Sequence, residues 1–223
     1  MSVFLCERAA YMLSEKELAR LDELYEYERA LYRKGAFAVA GVDEVGRGPV
    51  AGPVSVGACI LTDQPMIEYL NDSKKVTEKR REKVAAELKA LGVPYAVEHI
   101  APEVIDEIGI VASLQTAMRR AISSLSIAPD TVLLDGNPLN LGVHEISIVK
   151  GDAKVACISA ASILAKVERD ALMKQYDETY PEYGFSSHKG YASAAHIDAI
   201  KRHGLSPIHR VSFCQNFLQE RLF

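Results

Sequence analysis

Asp43 and Glu44 stand side by side near the end of the apolar run Ala36–Val45, Asp135 closes Thr131-Val-Leu-Leu, and Asp152 follows Glu145–Val149 by way of Lys150-Gly151. A carboxylate at the end of a Val/Ile/Leu run is costly to bury unless it is paired or holds a cation. Oxygen donors with no histidine or cysteine among them suit Mg²⁺ or Mn²⁺ rather than zinc. Singly, each acid is also what a turn or cap uses. Together, at the ends of neighbouring strands, four acids can hold two such ions and support an in-line phosphoryl displacement.

Directly after the first pair comes Gly46-Arg47-Gly48-Pro49. The glycines let the backbone approach a ligand, and the proline stiffens the exit. Backbone N–H and C=O groups there can meet a sugar hydroxyl, and Arg47 a phosphate. The spacing is neither a dinucleotide fingerprint nor a Walker lysine motif. Alone, such a turn is more often a plain hairpin connection. Farther on, Tyr180–Tyr191 leads into a stretch where Lys189, Lys201, Arg202 and Arg210 oppose one acid, Asp198. Cations interleaved with aromatic rings are what a nucleic-acid groove uses. His188, His196, His203 and His209 in this tract read as phosphate contacts or packing groups rather than acid–base catalysts. A second basic group runs through Ser73-Lys74-Lys75 to Lys79, Arg80, Arg81 and Lys83. The 79–83 stretch reads as a solvated helix face laced with ion pairs; Ser73 and Lys74, on a loop, read as ligand contacts.

Elements must hold these residues in place. Ser14-Glu-Lys-Glu17 is a capping box, and leucines recur at helical spacing to Lys34, where Gly35 ends the run. Strand-like runs follow at Ala36–Val45, Val54–Leu61, Tyr95–Ile100, Thr131–Asp135 and Glu145–Val149. Helices are expected from Thr77 to Leu91, from Pro102 into a longer one through Met118 to Leu125, from Ile158 to Tyr180 and from Ser193 to His203, with a helical segment at the C-terminus. The alternation implies an α/β fold: a mixed sheet with helices on its faces. Residues 1–35 read as an N-terminal helical extension and 36–223 as one catalytic domain whose C-terminal helical part binds substrate.

The 223 residues suffice for a core without staples. With 48 % hydrophobic and 25 % charged residues the chain is neither disordered nor fibrous. A net charge of −4 argues against bulk attraction to nucleic acid but leaves room for a local groove. Cys6, Cys59, Cys157 and Cys214 are scattered, so neither a zinc knuckle nor a disulfide framework is indicated. With no signal peptide pattern and no apolar stretch of spanning length, a cytoplasmic protein with no membrane partner is expected.

Gly41-Val-Asp-Glu-Val-Gly-Arg-Gly-Pro49, Asp72-Ser-Lys74, Leu134-Asp-Gly136, Lys150-Gly-Asp152, Ser159–Asp170, Tyr183-Gly-Phe185 and His188-Lys-Gly-Tyr191 resemble, in order, the motifs of bacterial ribonuclease HII. The resemblance runs from about Ala36 to Phe213. It implies a ribonuclease H-like fold with a five-stranded mixed sheet, and an endonuclease that hydrolyses the RNA strand of RNA–DNA hybrids and cuts 5′ of single ribonucleotides in duplex DNA. It implies catalysis by two ions, Mg²⁺ or Mn²⁺, held by Asp43, Glu44, Asp135 and Asp152, leaving 5′-phosphate and 3′-hydroxyl ends. The turn that reads the ribose 2′-hydroxyl falls on Gly46, Arg47 and Gly48, and the tyrosine that packs on the neighbouring deoxyribose on Tyr191. Asp170 reads as an acid that orders its helix and rivals the four for a cation. One departure is Gly109, where the family has an asparagine; loss of a contact to substrate backbone is expected there.

Three rivals stand beside this reading. Ribonuclease HIII calls for a substantial N-terminal substrate-binding domain. A silent hybrid-binding protein would have no use for the full acid set. A Mg²⁺-dependent carbohydrate or nucleotide enzyme leaves the aromatic-basic tract unexplained. Finally, Gln219-Glu-Arg-Leu-Phe223 is similar to peptides by which bacterial replication proteins dock on the sliding clamp, with Gln219, Leu222 and Phe223 as anchors. Sealing of the last helix against the core by Leu218, Leu222 and Phe223 is the alternative.

Overall fold

The computed structural model describes residues 13–218. Five strands form one sheet: β1 (Val39–Val45), β2 (Val54–Ile60), β3 (Tyr95–Ile100), β4 (Thr131–Asp135) and β5 (Glu145–Ile148). Their order is β3-β2-β1-β4-β5, with β1 antiparallel to β2 and parallel to β4. The pairs β2–β3 and β4–β5 are antiparallel and parallel respectively, so the sheet is mixed, as expected. Helices α1 (Glu15–Leu24), α2 (Glu26–Arg33), α3 (Glu78–Ala90), α4 (Pro102–Ser123) and α5 (Ala156–Thr179) cover its faces, and α6 (Phe185–His188), α7 (Ala194–His203) and α8 (Val211–Leu218) follow.

Side chains alternate across a strand, and the sheet sorts its residues accordingly. Val39 and Leu133 belong to the core on the α5 side. Ala40, Val42, Val132 and Leu134 belong to the core on the α4 side. Two glycines let α5 lie directly on the sheet. A Cβ on Gly41 would fall 2.2 Å from the Cys157 carbonyl carbon, and one on Gly57 would fall 2.2 Å from the Ala161 carbonyl oxygen. No side chain fits at either point.

The N-terminal helix expected over 14–34 is two helices, hinged at Tyr25. The hinge buries the Tyr25 ring completely, with its hydroxyl donating to the Pro65 carbonyl at 2.7 Å. It also brings Glu28, 2 % exposed, to the start of α5, where it accepts the Cys157 N–H at 2.9 Å. An N-terminal helix amide without a partner is costly when buried, so this carboxylate serves as a remote cap. Helical spacing showed the apolar stripe but not the turn at Tyr25 that divides it. In α4 the break falls at Gly109, with φ 79° and ψ 159°, a backbone region nearly confined to glycine. An asparagine there would be strained, so the departure serves the kink between the two expected helical stretches. The short helix α6 and a 3₁₀ turn over Gly151–Ala153 were not foreseen.

Gly41→Ala is expected to cost about 2–3 kcal/mol by overpacking against helix backbone, lowering the thermal midpoint by about 5–10 °C for a chain of this size. Thermal unfolding followed by circular dichroism checks this. An unchanged midpoint would mean that α5 has room to retreat.

Candidate active site

The period of two along a strand decides which acids meet. Gly41 and Asp43 share the face of β1 covered by α5, while Glu44 points to the opposite face. On β4, Leu133 and Asp135 share that same α5 face, and Val42 pairs with Leu134. Asp43 and Asp135 are therefore neighbours across adjacent strands. Asp152 joins them from the 3₁₀ turn after β5, reached through Lys150 in a left-handed conformation (φ 58°). Asp43, Asp135 and Asp152 can each offer an oxygen, all within 4.8 Å of one another.

Hydrogen bonds fix this triad from behind. Asp135 Oδ1 accepts the Gly151 N–H at 2.6 Å, and Asp43 Oδ1 accepts the Glu44 N–H at 2.7 Å. The Ser159 hydroxyl donates to the Asp152 carbonyl at 2.6 Å. Ser162, one turn along α5, lines the cleft with Asp43 and donates its hydroxyl to that of Ser73 at 2.9 Å. Burial holds the Asp43 carboxyl well above the usual range; Ser162 opposes this, and the charges of Glu44, Asp135 and Asp152 reinforce it. Burial also raises Asp152, with Asp135 adding to the shift and Lys74 opposing it. The Lys74 Nζ sits 3.3 Å from Asp152 Oδ2. Such a cluster of oxygen donors, negative and partly desolvated, fits a divalent cation.

Glu44 stands outside the triad. Burial raises its pKa while Arg47, whose Nη1 is 3.8 Å away, pulls it back. Both line a cleft of about 380 Å³ together with Asp43, Gly46, Gly48, Ser73, Lys74, Ser162, Lys166 and Tyr191. Thus the glycine turn, the Ser73-Lys74 loop and Tyr191 open onto one space. The Tyr191 ring is half exposed, 3.7 Å from where a Cβ on Gly48 would stand.

Two arginines that the sequence left without this role build the turn. Arg210, expected in a basic groove, is completely buried. Its guanidinium donates to the carbonyls of Gly46 (2.7 Å), Arg47 (3.0 Å) and Gly52 (3.0 Å). Arg169, also fully buried, donates to Pro53 (2.9 Å), Lys189 (3.0 Å) and Ala51 (3.3 Å). Gly46 has φ 85°, and a Cβ on it would lie 2.1 Å from Arg169 Nε. Burial, with Arg169 nearby, pushes the Arg210 pKa down to about 9. The basic tract is correspondingly thinner than its composition implied, since Arg202 pairs with Asp198 at 3.0 Å.

The 79–83 stretch also needs correction at one position. Arg81 is no solvated cation: its side chain is 12 % exposed and donates to the Ser73 and Val76 carbonyls. It shares the face of α3 that buries Val84, Ala85 and Leu88, a helical spacing that could have revealed it. Asp170 is not part of the acid triad; it pairs with Arg81 at 3.5 Å and Lys166 at 2.6 Å, tying α3 to α5 beside the cleft. Ser162 and Lys166 were also missed as lining residues, although they lie three or four residues from Ser159 and Asp170 on one helix. Gln219, Leu222 and Phe223 lie outside the described residues.

The family model for ribonuclease HII matches residues 40–216. Ribonuclease HII of Ruminiclostridium cellulolyticum is 45% identical over 206 residues, which cover 92% of this chain and 81% of the relative. Among solved structures, the ribonuclease H2 from Pyrococcus horikoshii OT3 is similar with a TM-score of 0.72 and 29% identity, over 84% of this chain and 100% of the other. The RNase HII solved in a PCNA complex from Archaeoglobus fulgidus matches with a TM-score of 0.68 and 27% identity, over 78% of this chain and 94% of that one. Five strands in this order, three acids gathered at the strand ends and the match over most of the chain agree: the protein belongs to the ribonuclease HII family and is a ribonuclease H enzyme.

Proposed function

We propose that this enzyme hydrolyses the RNA strand of RNA–DNA hybrids and cuts duplex DNA on the 5′ side of a single embedded ribonucleotide, leaving 5′-phosphate and 3′-hydroxyl ends. Endonucleolytic action on the RNA of hybrids follows from family membership. The finer reading rests on one observation: the acid triad adjoins a cleft whose walls carry the glycine turn and an exposed tyrosine. Asp43, Asp135 and Asp152 would hold the divalent ions, two of Mg²⁺ or Mn²⁺, with Glu44 completing the set from the cleft rim. When bound there, the ions supply Lewis-acid stabilisation of the phosphodiester and an activated water.

The chain's own residues do the rest. Arg210 engages the carbonyls of Gly46 and Arg47, so we assign recognition of the 2′-hydroxyl to the N–H groups of the turn. A hydroxyl accepting from a rigid N–H is a direct test for ribose. Ser73 and Lys74 face the cleft from the other wall, where Lys74 holds Asp152 and offers its charge to a phosphate. Tyr191 beside Gly48 would pack on the next sugar, which fits only where that sugar lacks a 2′-hydroxyl. Among the described residues no helix is long and apolar enough to cross a membrane. The Archaeoglobus relative solved with PCNA supports a sliding clamp as a partner, and the Gln219–Phe223 peptide would be the docking segment.

Asp135→Asn is expected to retain the fold and substrate binding while lowering cleavage by about a hundredfold or more, because it removes charge that would neutralise the ions. The assay is digestion of a duplex carrying one ribonucleotide, with the cut mapped. Near-normal cleavage at saturating Mg²⁺ overturns the assignment, and a cut 3′ of the ribonucleotide overturns the register.

Asp43 makes a separate stability prediction. A carboxyl whose folded pKa is raised lends stability in acid and loses it as pH rises through that folded value. At neutral pH without divalent ions, Asp43→Asn should therefore raise the melting temperature. Adding Mg²⁺ or Mn²⁺ should stabilise the wild type more than the variant. Equal gains on adding metal would remove Asp43 from the ion site.

For the clamp, deletion of Leu222-Phe223 should weaken binding in a calorimetric titration and leave cleavage of a short duplex unchanged. Equal binding by intact and truncated chains rejects the docking peptide, and a lowered melting temperature favours packing.

A further inference from the structure

Three histidines behind the cleft take no part in the chemistry above. His188, His196 and His209 gather around Tyr183 and Phe185, with the rings of His188 and His196 stacked at 4.2 Å. His196 and His209 are 0 % and 3 % exposed. Their partners determine where each hydrogen sits. The Ser206 N–H can only donate, and it points at His209 Nδ1 from 2.9 Å, so that nitrogen carries the lone pair, the Ser206 hydroxyl at 2.8 Å turns its own hydrogen toward it, and Nε2 carries the ring hydrogen. The Tyr191 carbonyl can only accept, and it lies 2.9 Å from His196 Nδ1, so that nitrogen carries the hydrogen and Nε2 the lone pair. The two Nε2 atoms are 3.0 Å apart. Two independent assignments thus leave a single hydrogen between them, as a good contact requires.

The relay has one direction. Ser206 N–H donates to His209, His209 Nε2–H donates to His196, and His196 Nδ1–H donates to the Tyr191 carbonyl. Burial favours the neutral rings this needs, pushing both pKa values down to about 4. The same carbonyl also accepts the Ser193 N–H at 2.8 Å, so its two lone pairs are both used. His188 holds the preceding peptide in like manner, accepting the Gly190 N–H at 3.2 Å and donating from Nε2 to the Tyr183 carbonyl at 2.9 Å.

We propose that His196 and His209 are positioning residues: through the Tyr191 carbonyl they set the place of its ring beside Gly48, and with it the preference for a ribonucleotide–deoxyribonucleotide junction over a continuous hybrid. The inference rests on the reading of Tyr191 given above. A packing role needs only ring volume, whereas the relay needs a donor at one particular nitrogen. His196→Asn keeps a donor near the Nδ1 position, and His196→Leu keeps bulk without it. In His209→Leu, the His196 ring loses the donor that keeps its Nε2 unprotonated, and its hydrogen is free to leave the carbonyl.

The test compares kcat/KM of the full-length enzyme with Mg²⁺ on duplex DNA carrying one ribonucleotide and on a continuous hybrid. His196→Leu and His209→Leu are expected to lower the single-ribonucleotide value about tenfold and the hybrid value less than about threefold, the scale of one lost buried hydrogen bond. His196→Asn should restore most of the difference, and Tyr191→Ala should shift the ratio in the same sense. Equal losses on both substrates, or an asparagine variant no better than leucine, overturn the proposal while a shift in Tyr191→Ala leaves the reading of that residue standing. If Tyr191→Ala does not move the ratio, that reading falls and the proposal with it. Ring-nitrogen NMR of the wild type provides a check that no variant's folding can spoil: hydrogen on His196 Nδ1 and His209 Nε2 is expected, and the reverse tautomers overturn the relay.

Discussion

The site depends on the contact of helix α5 with the backbone of β1 and β2. Gly41 and Gly57 remove the side chains that would hold the helix off the sheet, leaving helix carbonyl groups where Cβ atoms would otherwise stand. Because α5 lies this close, Ser162 stands on the cleft beside Asp43 and Ser159 reaches the Asp152 backbone. The same helix carries Lys166, Arg169 and Asp170 past the cleft, the glycine turn and α3 in succession. Close packing makes the helix a rigid ruler, because a well-packed contact has discrete rather than continuous solutions. Glu28 adds a second constraint by capping the start of that helix from the N-terminal segment. Its other carboxylate oxygen has no hydrogen-bond partner among the described residues, and burial raises its pKa.

Two opposite kinds of buried charge flank the cleft. On one wall, acids are crowded without enough cations, and burial makes the carboxyl groups of Asp43 and Asp152 resist ionising. Such a cluster destabilises the fold unless something neutralises it, and that liability is what makes it a cation site. Behind the other wall, Arg169 and Arg210 are buried with backbone carbonyls as their hydrogen-bond partners. A guanidinium presents donors in a fixed fork, so each arginine fastens three backbone carbonyls at once. The 46–53 loop, with little regular structure of its own, thereby acquires a defined shape.

Much of this was legible in the residues. The five strands follow from apolar runs with turn chemistry between them, and the ends of β3 and β4 fall where the runs end. The acids announced themselves by standing where apolar runs stop. That Glu44 would face away from Asp43 follows from alternation along the strand, but that Asp43 would meet Asp135 followed only once the strand order and register were known.

Local chemistry therefore determined the element types, the oxygen-rich character of the site and the family motifs, because propensity, alternation and turn residues act over a few positions. The tertiary structure decided which charges are solvated and which are fasteners. Arg169 and Arg210 look in sequence like any exposed cation, yet they are buried because distant carbonyls converge on them. His196 and His209, thirteen positions apart, share one hydrogen for the same reason. A side chain's partners across the fold set its burial, and no spacing along the chain encodes where those partners will come from.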